Sequence, residues 1–588
     1  MAQASARSSK RAPVPDRPVK WSDRYTAWRA RRVPACEGFV LEPEPRTLGS
    51  YARGRQLLEG RFLFAGELVE AQETALWDLP MPHVAFERAL HGYRWLDDLA
   101  SLGDAEAREL GQNWFDIWAR RHLVGRGLGW LPHLVARRVI RLINHSDFLL
   151  RGASPELKEL FYKSLAQHGA FLERTWSKVP EGPRRFEALV GTIQAGVYLK
   201  GFDAPLAAVT QALAKDCDRM IDQNGGIASR NPESLLELFE ILGWAAESLK
   251  TAEHPVPAGL SDALARIAPT LRALRHADGG LARFHGGARG ADGRLDQALL
   301  TSGVRTPRRA GLVMGFHRLQ AGRTTLIADS AAPPTGPGSE MAHASTLAFE
   351  VTSGRRPLIV NCGPGGAFGM RWARAGRATP SHSTLSIDGV SSAQLSDVGE
   401  MLEKGPRSVQ HEVLTNEDGT VWEAAHDGYG ASHGLTHIRR IEMSNDGRSI
   451  DGTDTLTTLS DEDKRIYDKS LTREKMRTVP YSVRWHLHPD VRASLDMGGS
   501  AVSLELKSGE LWVFRHDGQF MLRLEPSVYL QKGTLEPRPS QQIVLLGRAM
   551  SYATRIRWSL AKAQDTPIAL RDVEERDFNT DGADVDAT

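Results

Sequence analysis

Apolar residues recur at helical spacing through the first half of the chain and at every second position through the rest. The stretch PHLVARRVIRLINHSDFLL (132–150) sets Leu134, Val135, Ile140 and Ile143 on or near one face of a helix. SPELKELFYKSLAQHGAFLERTW opens with Ser154 as N-cap and Pro155 at the first helical position, where the missing N–H is not needed. NPESLLELFEILGWAAESLK repeats the device, with Asn231 as cap, Pro232 at the start and Glu233 near the positive end of the helix dipole. RRFEALVGTIQAGVYLKGF and APLAAVTQALAKDCDRMI also read as helices, and GFDAP, NGGIASR and HPVPAG break the series. Sequential helices on short loops imply antiparallel hairpins gathered into a bundle or a toroid.

Beyond about residue 300 the period changes to two. TTLIADSA, TLAFEVTSG, PLIVNCG, STLSIDG, VWEAAHDGY, HIRRIEMSND, VRWHLHPD, AVSLELKSG, LWVFRHDG and QQIVLLG read as strands separated by Asp-Gly and Ser-Gly turns. Strands with almost no helix between them argue for a large antiparallel β-sandwich. The expected order is a basic, partly disordered leader over 1–55, a helical domain over 56–300, a sandwich over 301–566 and a flexible acidic tail over 567–588.

Composition narrows the function classes. The chain has 588 residues with 74 basic against 72 acidic side chains, so a whole-surface nucleic-acid binder is not expected. Cys36, Cys217 and Cys362 are too few and too scattered for a disulfide framework or a Cys-x-x-Cys metal knuckle. The N-terminal segment is basic and Pro/Ser-rich without an apolar core, so it does not read as an export signal, and a cytoplasmic location is expected. No transmembrane segment is expected. Phosphate-loop, His-Glu-x-x-His and Gly-x-Ser-x-Gly motifs are absent.

HASTLAFEVTSGRRPLIVNCG and SHSTLSIDGVSSAQ resemble successive blocks of the heparinase II/III-like C-terminal domain, and the likeness continues through AAHDGYGASHGLTHIRRIEM and RWHLHPD. GWLPHLVARRVIRLIN and NGGIASRNPESLLELFEIL look like the helical segments of the same family. The resemblance spans roughly residues 60–560. It implies an incomplete α/α toroid followed by an antiparallel β-sandwich, and a polysaccharide lyase that cleaves an acidic, uronate-containing glycan by β-elimination. That reaction needs a donor to neutralise the uronate carboxylate and a Tyr or His to take the C5 proton. An envelope or periplasmic location, which the family implies, conflicts with the missing export signal.

Carried over residue by residue, the resemblance makes His343, His382 and Asn361 the positions of a structural metal site, with zinc or calcium as the ion and no organic cofactor. An aspartate is expected where Asn361 stands, so the set lacks one negative charge. Cys362 is adjacent, but on a strand it should face the other way. The carboxylate-binding Asn-His of the family is Pro183-Arg184 here, and Arg184 or Arg185 is the substitute. The catalytic Tyr falls at Ser234 and a neighbouring His at Leu235, within a segment where Arg230 and Pro232 match and Asn231 lies beside the substrate. The catalytic His two residues before His343 is Met341.

His285, in the glycine-rich DGGLARFHGG, and Asn144-His145 with Asp147 are candidate replacements. Arg371, Trp372, Arg374 and Arg377 form a basic, aromatic loop suited to a sulfated or carboxylated sugar. His426, His437, His486 and His488 are expected in outward or interstrand roles. The favoured reading is a lyase whose chemistry has moved to other residues, and its rival is a non-catalytic glycan-binding or cell-envelope protein on the same scaffold. A pure scaffold is a third. An acidic polysaccharide or oligosaccharide is the expected partner, and the oligomeric state is not legible.

Overall fold

A computed structural model describes residues 19–563, apart from Glu73, 397–400 and 474–477. The acidic tail expected over 567–588 and the first part of the leader lie outside the described residues. The chain divides into two compact units. One is formed by Met1–Gly60, Ala71–Ala212 and Thr251–Glu253, the other by Arg61–Glu70, Leu213–Lys250 and His254–Thr588. The domain boundary expected at residue 300 thus falls inside the second unit. Within the described part of the 1–55 segment, Trp21–Ala30 is a helix, and Ser50 caps a second one, Tyr51–Leu58, by accepting from Arg53 N.

The first unit is built from helices that follow the apolar spacing. Pro132–Asn144 buries Leu134, Val135, Ile140 and Ile143 together. Ser154 Oγ accepts from Leu157 N, as a capping serine should, and the helix Pro155–Thr175 follows. Arg138, fully buried, is held by the carbonyls of His91 (2.9 Å) and Gly129 (2.7 Å), with its guanidinium 4.3 Å from the Trp118 ring centroid. Burial lowers its pKa to about 9.

In the second unit, helices Pro232–Thr251, Ala258–Ala273 and Arg294–Ser302 precede two large antiparallel sheets. One sheet runs, in spatial order, Val409–Thr415, Gly419–Tyr429, Leu435–Ser444, Ser449–Thr457, Ala553–Lys562, Leu511–His516, Ala501–Glu505 and Arg492–Asp496. The other runs Met521–Tyr529, Arg538–Ala549, Val479–Leu487, Arg356–Val360, Phe349–Ser353, Thr324–Asp329 and Phe316–Ala321, and Leu385–Ile387 also pairs with Val479–Leu487. Side chains from both sheets, among them Phe349, Trp422, Trp485, Phe514 and Trp558, form one hydrophobic core. Three helices interrupt the strands where few were expected: Met370–Ala375, the single turn Gly430–His433, and Asp461–Arg473, the last capped by Ser460.

A charged cluster sits inside that core. Register pairs His437 with His426 and Arg439 with Asp454 across neighbouring strands. Arg439 Nε donates to Asp454 Oδ1 at 2.7 Å, His437 Nε2 lies at 2.7 Å from the same oxygen, and Trp558 Nε1 donates to Oδ2 at 2.9 Å. Trp558 lies flat over Gly452, where an added Cβ would come within 2.1 Å of the ring, so only glycine is accommodated. Arg439 also donates to Leu347 O (2.9 Å) and Ser383 O (2.8 Å), which fixes two loops to the sheet.

Removing one member of a buried, hydrogen-bonded ion pair strands the other. Arg439→Met is therefore expected to lower unfolding stability by about 3–5 kcal/mol. Chemical denaturation reads this directly, and a loss below ~1 kcal/mol contradicts the assignment.

Candidate functional site

The family-like loops converge on a single buried carboxylate, Asp329, at the end of the strand Thr324–Asp329. Arg230 pairs with its Oδ1, Ser345 Oγ donates to Oδ2 at 2.7 Å, and His285 Nε2 lies 3.5 Å from Oδ2. The Arg230 guanidinium is otherwise spent on backbone carbonyls: Met314 (3.0 Å), Gly315 (2.9 Å) and Ala332 (2.7 Å). Burial alone would raise the Asp329 carboxyl, but Arg230 and His285 outweigh it and hold it far below the usual carboxylate range.

The backbone around this carboxylate is strained. Arg230 (φ 52°), His285 (φ 48°), Met314 (φ 50°) and Leu347 (φ 65°) all adopt left-handed conformations that side-chain-bearing residues disfavour. Gly315 is a necessity beside them, because a Cβ there would lie 2.3 Å from Arg230 Nε.

A histidine chain extends from the carboxylate. His285 Nδ1 accepts from His343 N at 3.2 Å. His382 Nδ1 donates to Ala378 O at 2.9 Å, so its Nε2 is an acceptor, and His343 Nδ1–H donates to it at 2.9 Å. All three rings are buried. Burial is the largest cause lowering each pKa, to about 4 for His382 and well below the ordinary value for His343. Both nitrogens of His382 are thus committed within the protein, and the buried His285 ring accepts at Nδ1 while its Nε2 points to Asp329 at 3.5 Å.

The expected metal set does not come together as a cation site. Asn361 Oδ1 accepts from Ser383 N at 3.0 Å and its Nδ2 donates to Glu350 Oε1 at 3.2 Å. Among the described residues no group of three or more His, Cys, Asp or Glu side chains is arranged to hold an ion. Two neutral imidazoles and an amide already engaged at both ends do not fit zinc, and one amide oxygen falls far short of calcium's oxygen shell. Cys362 faces away as expected, with Sγ 3.5 Å from His486 Nδ1.

The other candidates separate into buried and exposed groups. Arg377 is buried and donates to Ala342 O (2.7 Å) and Ser339 O (2.9 Å), so it braces the loop before His343 rather than facing a ligand. Arg371 and Arg374 are exposed and Trp372 is half-buried on the helix Met370–Ala375. Asn231 Oδ1 caps its helix by accepting from Ser234 N at 3.0 Å, and Ser234 is half-buried. Met341 is 44% exposed, so the position of the family's histidine base carries a solvent-facing thioether.

In the helical unit, Arg185 donates to Val179 O at 3.0 Å, whereas Arg184 is exposed. Burial, then the charges of Arg137, Arg184 and Arg88, push the His133 imidazole down to about 2, which marks a concentrated positive field there. Asn144 Nδ2 donates to Ile140 O at 2.7 Å, Asp147 pairs with Arg151, and His145 Nε2 sits 2.9 Å from Asp97 Oδ1. His426 and His437 are interstrand, as expected, and His486 spans Pro380 O (3.0 Å) and Ser527 Oγ (2.8 Å). His488 packs on Tyr529 with ring centroids 4.9 Å apart.

Asp329, Glu350, Arg283 and Asp454 are the residues that sequence reasoning missed. Arg283 binds the carbonyls of Asn361 (2.8 Å) and Cys362 (2.9 Å) and lies over the Tyr529 ring. A small pocket opens beside it, lined by His276, Arg289, Glu350 and Tyr529. A charged residue inside an otherwise apolar strand, as in TTLIAD and LAFEV, was the available signal.

Helices followed by a large antiparallel sandwich, with family-type histidines on the sandwich loops, define a protein of the polysaccharide-lyase fold class. The heparinase II/III-like C-terminal domain matches over residues 303–559. The chain belongs to the heparinase II/III-like family. FtsZ-localized protein C of Caulobacter vibrioides is 32% identical over 550 residues, covering 90% of this chain and 92% of that one. A solved heparinase III matches with a TM-score of 0.65 at 13% identity, over 92% of this chain and 89% of that one. A mutant heparan sulfate lyase from Pedobacter heparinus matches at 0.57 and 15% identity, over 93% and 88%. At these identities the solved structures establish the fold, an α/α toroid type followed by a sandwich, and nothing more. No helix among the described residues is long and apolar enough to cross a membrane.

Asp97 supplies a pH test of the helical unit. Burial alone would raise its carboxyl, but Arg141, His145 and Thr47 outweigh it and hold it at about 2. A depressed carboxylate adds stability above its unfolded pKa of about 3.9, and that stability is lost as pH falls towards the folded value. Stability is expected to drop by roughly 2–3 kcal/mol from this group between about pH 5 and pH 2. Asp97→Asn should flatten that part of the profile, and an unchanged acid slope in the variant contradicts it.

Proposed function

We propose that this chain is a non-catalytic, saccharide-binding member of the family that serves cell-envelope assembly, and that it acts where FtsZ acts. The observation that carries this reading is the fate of the family's catalytic positions. Ser234, Leu235 and Met341 replace the Tyr and His residues, and the histidines that remain are buried, with His343 and His382 hydrogen-bonded to each other and His285 accepting from the backbone of His343. An unactivated serine and a thioether are poor bases for a weakly acidic C5 proton. The name of the Caulobacter relative places that protein with FtsZ, and the 32% identity over 90% of this chain is the ground for extending the placement.

Saccharide binding rests on exposed cations. Arg371 and Arg374 flank the half-buried Trp372, an arrangement that suits a charged sugar stacked on an indole. Arg184 is a further exposed cation, on the helical unit. The competing lyase reading has one specific support: His276, whose Nε2 lies 3.3 Å from Glu350 Oε2, lines the pocket that also holds Tyr529.

Two measurements separate the readings. Incubated with a panel of uronate-containing polysaccharides, the purified chain should give no rise in ultraviolet absorbance from a new C4–C5 double bond, yet bind some of them in a salt-sensitive way. Arg371→Glu with Arg374→Glu is expected to weaken that binding about tenfold or more, ~1.4 kcal/mol. Unsaturated products that vanish in His276→Ala would establish the lyase instead. A fluorescent fusion should coincide with FtsZ in dividing cells, and a uniform distribution contradicts the proposed placement.

A further inference from the structure

We propose that this chain has exchanged its family's metal tether for a direct histidine pair, and that no structural cation binds at His343, Asn361 and His382. The inference is independent of whether the protein cleaves glycans. The two imidazoles meet at 2.9 Å, a hydrogen-bond separation. A tetrahedral zinc with bonds of about 2.0–2.1 Å would hold two such nitrogens ~3.3 Å apart. The pair joins the loop carrying His343 to the loop carrying His382, and His382 is anchored in turn by Ala378 O. The tether that a metal would supply is therefore made by protein groups.

Asn361 explains why the exchange is stable. Its Nδ2 faces Glu350 Oε1 at 3.2 Å, and its backbone N donates to the same carboxylate at 3.2 Å. A carboxylate at position 361 would put a second negative oxygen against Glu350 in a buried site, which is tolerable only with a cation or a proton between them. The amide supplies the donor that Glu350 needs and removes the charge that would hold an ion. The neighbouring carboxylates are already matched: Glu350 accepts from Arg283 N at 2.9 Å and faces His276 Nε2 at 3.3 Å, and Asp329 is paired with Arg230.

The test uses the intact purified chain. Elemental analysis should find metal far below one ion per chain, and the melting temperature should be the same in EDTA, in added zinc and in added calcium. A tightly held stoichiometric metal, or a melting temperature lowered by EDTA, overturns the proposal. The variant Asn361→Asp should restore an ion site: in EDTA it should melt below the native chain, and zinc should raise it by several degrees. Adding His382→Gln should abolish that response. Zinc that leaves N361D unmoved would show that the missing carboxylate is not what excludes the ion, and would also overturn the proposal. Where N361D fails to fold, the metal content and EDTA response of the native chain decide the outcome.

Discussion

The buried carboxylate of Asp329 is the constraint around which the second unit is arranged. An unpaired charge there would cost several kcal/mol, and Arg230 is placed to prevent it. Arg230 precedes the helix Pro232–Thr251, and Asp329 ends a strand almost a hundred residues later, so their contact joins helix to sandwich. Satisfying both groups forces four non-glycine residues into left-handed backbone and demands glycine at 315. Such strain persists only where surrounding contacts over-determine it.

The same contact decides the chemistry. Arg230 and His285, which the family resemblance marks as neighbours of a substrate, are drawn into the protein by Asp329. His343 and His382 then complete a chain that ends on a backbone carbonyl. Buried imidazoles hydrogen-bonded to one another and to the backbone in a low-dielectric site suit a framework and not a base. The altered positions Ser234, Met341 and Asn361 agree with one another on this view. Two remove the groups that moved protons, and the third removes the charge that held an ion.

The architecture was legible because period and capping are local signals. The 3.6- and 2-residue patterns separate helices from strands, and Ser154 and Asn231 announce helix starts that the structure contains. The division into units was not legible, because hydrogen bonds such as Arg230–Asp329 and Arg283–Asn361 tie helical-region residues to the sandwich without any periodic trace. The helix Asp461–Arg473 was overlooked although Ser460 and its acidic first turn signal it, since the strands on either side set the expectation. At the site, residue types were readable but their partners were not. Arg377 looked like a sugar-binding cation and is a buried brace, because nothing in MRWARAGRATPSH tells which arginine faces inward.

The central claim is that the family-like histidines are structural and closed to proton exchange with a substrate. Nitrogen-15 NMR of the imidazole rings across about pH 5 to 8, the range in which an unperturbed histidine titrates, tests it most directly. His285, His343 and His382 should each remain neutral in one fixed tautomer throughout. A ring among them that titrates near pH 6–7, as a solvent-accessible base does, would contradict the account.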